Sequence, residues 1–178
     1  MKSKLAVLLC FFLLSGCASV RGWENYRTDI GYALPQYPQW EEYNTLTLRK
    51  ATDNSWAELI NYMGGNATTV FGYTEKGDAK DWIAIFDDFL AWEPRQDTYI
   101  ERYTLEHKTD FSVIAAIYGA IRSRPPYTVS YRKKGDKKYF IVKYDEFTIG
   151  TDYTEQIYSE DSVRNMKQLY EYLSVTLK

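Results

Sequence analysis

Histidine occurs once in these 178 residues, as His107, and cysteine twice, as Cys10 and Cys17. One imidazole cannot supply a multi-histidine metal centre, and a Ser-His-Asp or Cys-His constellation would have to be built on His107 alone. Long apolar runs are also missing. The run from Leu5 to Leu14 is half the ~20 residues that a membrane-spanning helix needs. No sign of charge dominates: 22 Lys and Arg face 24 Asp and Glu, a net charge of −2. That balance offers no electrostatic footprint for nucleic acid. No phosphate-binding loop is visible either, because Gly64-Gly65 is not placed between a strand and a following helix.

What is present begins at the N-terminus. Lys2 and Lys4 precede the short apolar run, and Ser15-Gly16 follow it, the order of a secretory signal. The ending Leu14-Ser15-Gly16-Cys17 resembles the lipobox of bacterial lipoproteins. That resemblance implies cleavage between Gly16 and Cys17, acylation of Cys17 with diacylglycerol and palmitate, and a membrane partner reached through that lipid. Residues 1–16 would be the signal. Ala18 stands where an Asp would resemble the inner-membrane retention signal, so the resemblance favours the outer membrane, facing the periplasm. Loss of the signal removes Cys10 and leaves Cys17 alone, so the mature chain can form no internal disulfide and depends on packing.

The remaining composition supports packing: 17 Tyr, 8 Phe and 5 Trp supply large apolar areas and lean toward strands. Residues 17–42 contain Gly22, Gly31, Pro35 and Pro38 and read as a lipidated tether. A flexible spacer is poor in aromatics, yet this one carries Trp23, Tyr26, Tyr32, Tyr37 and Trp40. The rings either pack along the domain surface or order on a partner; Trp23, Tyr37 and Trp40 are candidate contact residues.

Residues 43–178 read as one domain containing an internal repeat. Thr47–Ser55 lines up with Thr104–Ser112, 57 positions on, and Lys76–Phe89 with Lys134–Phe147, 58 on, the latter pair identical at seven of 14 positions. Strands are expected at 44–50 and 98–107. Each runs into Thr-Asp-x-Ser, a helix start in which Ser55 and Glu58 match a capping box. Trp56, Leu59, Ile60 and Met63 predict one helical face, and Val113, Ile114, Ile117 and Ile121 a second. Hairpins are expected around Gly77-Asp78 and Gly135-Asp136, and after Gly150 a strand leads into a helix opened by Glu160-Asp161-Ser162. The predicted class is α+β: two β-α-β-β units (about 43–97 and 98–148) and a terminal β-α (149–178), a mostly antiparallel sheet of about seven strands with about three helices on it. In outline this resembles the helix-grip modules of outer-membrane assembly lipoproteins.

Chemistry-bearing residues are few. His107 lies at a predicted strand end, where an exposed polar residue is the ordinary expectation. The pairs Asp87-Asp88 and Asp145-Glu146 read as solvated strand ends, since neighbours on a strand point to opposite faces. Arg132-Lys133-Lys134-Gly135-Asp136-Lys137-Lys138 crowds cations round one turn. Lys133, Lys134, Lys137 and Lys138 are therefore candidates for membrane or partner contact, beside the plainer reading of charges that discourage edge pairing. No catalytic set, metal set or cofactor motif emerges. The expectation is a non-enzymatic envelope lipoprotein that binds a protein partner in an assembly, with a ligand-binding lipoprotein for glycan, peptidoglycan or lipid as the alternative.

Overall fold

The computed structural model describes residues 22–36, 39–63, 66–69, 71, 74–94, 98–105, 127–144 and 155–178. The chain runs β1 (Trp23–Tyr32), β2 (Asn44–Ala51), β3 (Ala57–Met63), β4 (Asn66–Thr69), α1 (Lys76–Ala91), β5 (Tyr99–Leu105), β6 (Tyr127–Lys134), β7 (Lys137–Tyr144), β8 (Glu155–Ser159) and α2 (Glu160–Thr176). The class is α+β. Two four-stranded antiparallel sheets, ordered β1-β2-β3-β4 and β5-β6-β7-β8, meet where Ala33 and Ile157 exchange backbone hydrogen bonds of 2.8 and 2.9 Å.

Both helices pack on each other and over the apolar core. From α1 the core receives Trp82, Phe86 and Phe89, and from α2 Val163, Met166, Tyr170 and Leu173. The strands contribute Leu46, Leu48, Leu59, Tyr131, Phe140 and Tyr158. Phe86 sits at the centre, with ring centroids of Trp82, Tyr170 and Phe140 at 5.6, 5.4 and 5.7 Å. Such stacked and edge-on pairs add stability beyond their buried area. A smaller cluster of Ala33, Tyr139, Ile141 and Ile157 lies apart from this core, with Trp40 packed on it.

Several sequence expectations fail, each for a physical reason. The predicted helix over Trp56–Met63 is strand β3, paired with β2 and β4. Ala57, Leu59 and Asn61 on one face and Trp56, Glu58 and Ile60 on the other are all buried, so the run is apolar at both periods and periodicity does not discriminate. Thr52–Ser55 is the β2–β3 turn rather than a helix start. Asn54 takes φ 58°, and the Ser55 N–H donates to Asp53 Oδ1 at 3.0 Å. Glu58 pairs with Arg49 instead of capping.

The hairpin expected around Gly77-Asp78 is the first turn of α1, where the Glu75 N–H donates to the Asp78 carboxylate at 2.9 Å. Residues 76–89 and the described part of the segment aligned with them, 134–144, therefore differ in conformation despite their shared residues. Ala79, Trp82, Phe86 and Phe89 recur at helical spacing, while Tyr139, Phe140, Ile141 and Val142 alternate across β7. Asp87 and Asp88 accordingly lie on a helix, not at a strand end. Two helices occur among the described residues against the three expected; the stripe at 113–121 lies outside them.

The proposed tether is the largest correction. Residues 23–32 form a ten-residue strand. The Gly22 carbonyl accepts from the N–H and hydroxyl of Thr52 at 2.9 and 3.1 Å, so Gly22 already belongs to the folded body, ahead of the boundary expected at residue 43. At the other end of β1, the Glu42 carboxylate accepts from the Ser159 N–H at 2.7 Å and the Ser162 hydroxyl at 3.0 Å. A negative side chain thereby sits at the N-terminus of α2, where the helix dipole favours it. A Cβ on Gly31 would stand 2.5 Å from Glu42 Oε2, so glycine is needed there by space alone.

Candidate functional site

Where α2 descends along β1, the two elements leave an open groove of about 460 Å³. Its strand wall is the consecutive stretch Tyr26, Arg27, Thr28, Asp29 and Ile30, backed by Leu48 and Lys50 of β2. Its helix wall is Asn165, Gln168, Leu169 and Tyr172, positions i, i+3, i+4 and i+7 on one face of α2. The β1–β2 register shifts between Arg27 and Gly31, so the strand wall contains a bulge. Bulges re-aim side chains and are over-represented beside binding sites. This one is pinned: Thr28 Oγ1 donates to the Leu46 carbonyl at 2.6 Å, and Asn165 Nδ2 donates to the Asp29 carbonyl at 2.9 Å.

At one end of the groove Lys50 Nζ stands over two rings, 5.9 Å from the Tyr26 centroid and 5.6 Å from that of Tyr172. Both rings are exposed, at 42% and 50%. The Tyr26 hydroxyl donates to the Glu24 carboxylate, and this bond raises its pKa above the ordinary tyrosine value. The site therefore combines stacking faces, a cation and amide groups, which suits recognition of an extended polar chain.

On the opposite face of β1–β2, Trp23 is 51% exposed with the Arg49 guanidinium 5.4 Å from its centroid. Arg49 also pairs at 3.0 Å with the buried Glu58 carboxylate. Of the residues singled out from sequence, Trp23 thus occupies an open surface position.

Trp40 and the basic hairpin, selected separately, come together. The Arg132 guanidinium lies 5.0 Å and Lys134 Nζ 4.5 Å from the Trp40 centroid, and the Tyr139 ring meets Trp40 edge-on at 4.9 Å. The hairpin cations separate by strand alternation. Lys133 and Lys138, opposite each other in the β6–β7 ladder, turn toward the end of α1. Lys138 Nζ donates to the Leu90 and Trp92 carbonyls at 3.0 and 3.1 Å, and Lys133 Nζ to the Pro94 carbonyl at 3.3 Å. Lys138 thus caps a helix C-terminus that has no basic residue in its last turn. Lys137 is exposed at the tip beside Gly135, which takes φ +61°.

Asp87 pairs with Lys167 at 2.7 Å, raising the lysine's pKa. Asp88 accepts from Tyr103 at 3.1 Å, and the Tyr131 hydroxyl lies 3.1 Å from both Asp88 and the Ile85 carbonyl. Burial, followed by the Asp88 charge, raises the Tyr131 pKa strongly. These carboxylates hold α1 to α2 and to β5–β6 rather than converging on one point. Among the described residues, no group of three or more His, Cys, Asp or Glu side chains is arranged to hold a metal ion. Gly16, Cys17, Tyr37, His107, Asp145 and Glu146 lie outside the described residues.

Sequence reasoning misses the groove because β1 reads as tether. One signal is available: on α2 the polar and aromatic stripe Asn165, Gln168, Leu169, Tyr172 runs beside the buried stripe Val163, Met166, Tyr170, Leu173. No protein-family model, curated protein or solved structure matches the chain. Among the described residues, no helix is long and apolar enough to cross a membrane.

Proposed function

We propose that this chain is a bacterial envelope lipoprotein, anchored through acylated Cys17 in the outer membrane, whose domain binds another envelope protein without catalysing a reaction. The observation that carries the binding reading is the groove between β1 and α2. Its strand wall is a terminal strand of its sheet, the arrangement that accepts an added strand from a partner. Main-chain pairing would supply affinity, and Tyr26, Lys50, Gln168 and Tyr172 would select side chains.

Placing a photo-crosslinking amino acid at Gln168 in cells and identifying the adducts tests the reading. One stoichiometric protein adduct, lost when the probe is moved to exposed Asp161, is expected. Adducts only to glycan, peptidoglycan or lipid would instead establish the ligand-binding alternative, which the exposed Tyr26 and Tyr172 rings favour through stacking.

A further inference from the structure

We infer that the end of the domain bearing Trp23 rests on the surface of the membrane that holds Cys17. The inference rests on the lipoprotein reading and deepens it, because it fixes which side of the domain meets the bilayer and how high the groove stands above it.

The first ground is the length of the leash. Gly22 is fastened to Thr52 by two hydrogen bonds, so the chain that links the lipid to the domain is the segment from Cys17 to Gly22. Five Cα-to-Cα steps separate the two residues, spanning at most roughly 18 Å when fully extended. A folded body of about 160 residues has a radius of gyration near 15 Å and hence a diameter approaching 40 Å. The leash is about half that diameter, so the far end of the domain cannot turn to face the bilayer.

The second ground is what this end displays. Among the described residues the exposed large apolar side chains are Trp23, Tyr26, Tyr43, Tyr99, Tyr172 and Val175. Four of them are gathered where the chain enters: Trp23 and Tyr26 at the start of β1, Tyr172 and Val175 on the last turns of α2. The Lys178 N–H donates to the Asn54 carbonyl in the β2–β3 turn at 2.9 Å, which brings the end of α2 to the same level as Gly22. Trp23 and Tyr26 project from opposite faces of one strand, so they cannot share a single pocket; a planar, laterally extended partner can receive both. Trp and Tyr are the rings that settle at the headgroup level, with an apolar body and a polar tip. Lys50, between Tyr26 and Tyr172, places a cation beside these rings that suits anionic headgroups.

A standing orientation follows. The strands of the first sheet rise from the bilayer, and the mouth of the groove marked by Tyr26, Lys50 and Tyr172 lies close above the headgroups. The partner segment is therefore one presented at the membrane surface.

The test uses the full chain isolated with its lipid and reconstituted into phosphatidylethanolamine–phosphatidylglycerol vesicles, with and without brominated phospholipid as a quencher of tryptophan fluorescence. Trp23→Phe is expected to remove at least half of the bromolipid-dependent quenching, and Trp40→Phe to leave it within about a tenth of wild type. Equal quenching in the wild type and Trp23→Phe, or loss on Trp40→Phe instead, overturns the inference. The acyl state of Cys17 is read on the same samples by mass spectrometry. Acylated protein with Trp23-independent quenching sinks the orientation and leaves the lipoprotein reading standing, whereas unacylated Cys17 sinks both.

Discussion

Replacing Gly31 by Ala is expected to destabilise the domain through one identifiable contact. The new Cβ would stand 2.5 Å from Glu42 Oε2 and 2.9 Å from its Cβ, far inside contact distance, so Glu42 must leave its place. The loss comprises the bonds from the Ser159 N–H and the Ser162 hydroxyl, at 2.7 and 3.0 Å, and a negative charge at the start of α2. Loss of a cap costs about 0.5–2 kcal/mol, and loss of a favourable charge at a helix N-terminus about 0.3–1 kcal/mol. A total near 2 kcal/mol follows, or about 1 M in the urea midpoint at a slope of about 2 kcal/mol/M. Glu42→Ala removes the same bonds and is expected to cost a similar amount. It also removes the oxygen 2.5 Å from the methyl group introduced by Gly31→Ala but keeps the Cβ at 2.9 Å, so part of the overlap remains and the double variant is expected to cost about 3 kcal/mol rather than the about 4 of independent effects. Urea denaturation of the four proteins reads this cycle. Additivity within about 0.5 kcal/mol, or a neutral Gly31→Ala, would refute the idea that Glu42 joins the end of β1 to α2.

Further outcomes follow from the core, the hairpin and the buried phenols. Phe86→Ala is expected to cost about 3–5 kcal/mol, since Phe86 is fully buried among three rings, and the thermal or urea midpoint reports it. Lys138→Met is expected to cost about 1 kcal/mol by uncapping α1, while Lys137→Met stays within about 0.5 kcal/mol; equal effects would contradict the division of the hairpin cations. Tyr131 and Tyr170 are held neutral by burial, with folded pKa values raised above the ~10 of an unfolded tyrosine. Above that pH the unfolded chain holds fewer protons than the folded one, so stability, complete below about pH 10, falls as the pH rises further. Absorbance titration should show these two phenols ionising only with unfolding, and Tyr131→Phe should flatten the alkaline decline.

How much of this is legible in sequence depends on whether a segment buries one face or two. In the hairpin β6–β7, β6 alternates in polarity from Tyr127 to Arg132 and Gly135-Asp136 mark the turn, so it is readable although β7 is buried on both faces, and α2 is readable from its start after Ser159, whose hydroxyl accepts from the Ser162 N–H at 3.2 Å. β3 is buried on both faces, so its apolar residues match helical spacing by accident. α1 reads as strand because Trp82, Ile83, Ile85 and Phe86 favour strands in isolation, and tertiary packing against α2 overrides that preference. β1 reads as a tether because its first six residues are largely exposed, Gly31 lies within it and Pro35 follows soon after. Its pairing with β2 and the Glu42 contact are long-range facts that no local pattern encodes. The groove is hidden for the same reason, since half of it is β1.

The address on which the function and the orientation both stand is tested most directly by metabolic labelling with an alkyne-tagged palmitate, followed by detection on the purified chain. Label is expected on the wild type and none on Cys17→Ala, with the mature chain starting at Cys17. An unlabelled wild-type chain that retains residues 1–16, or equal labelling of the two proteins, would contradict that address.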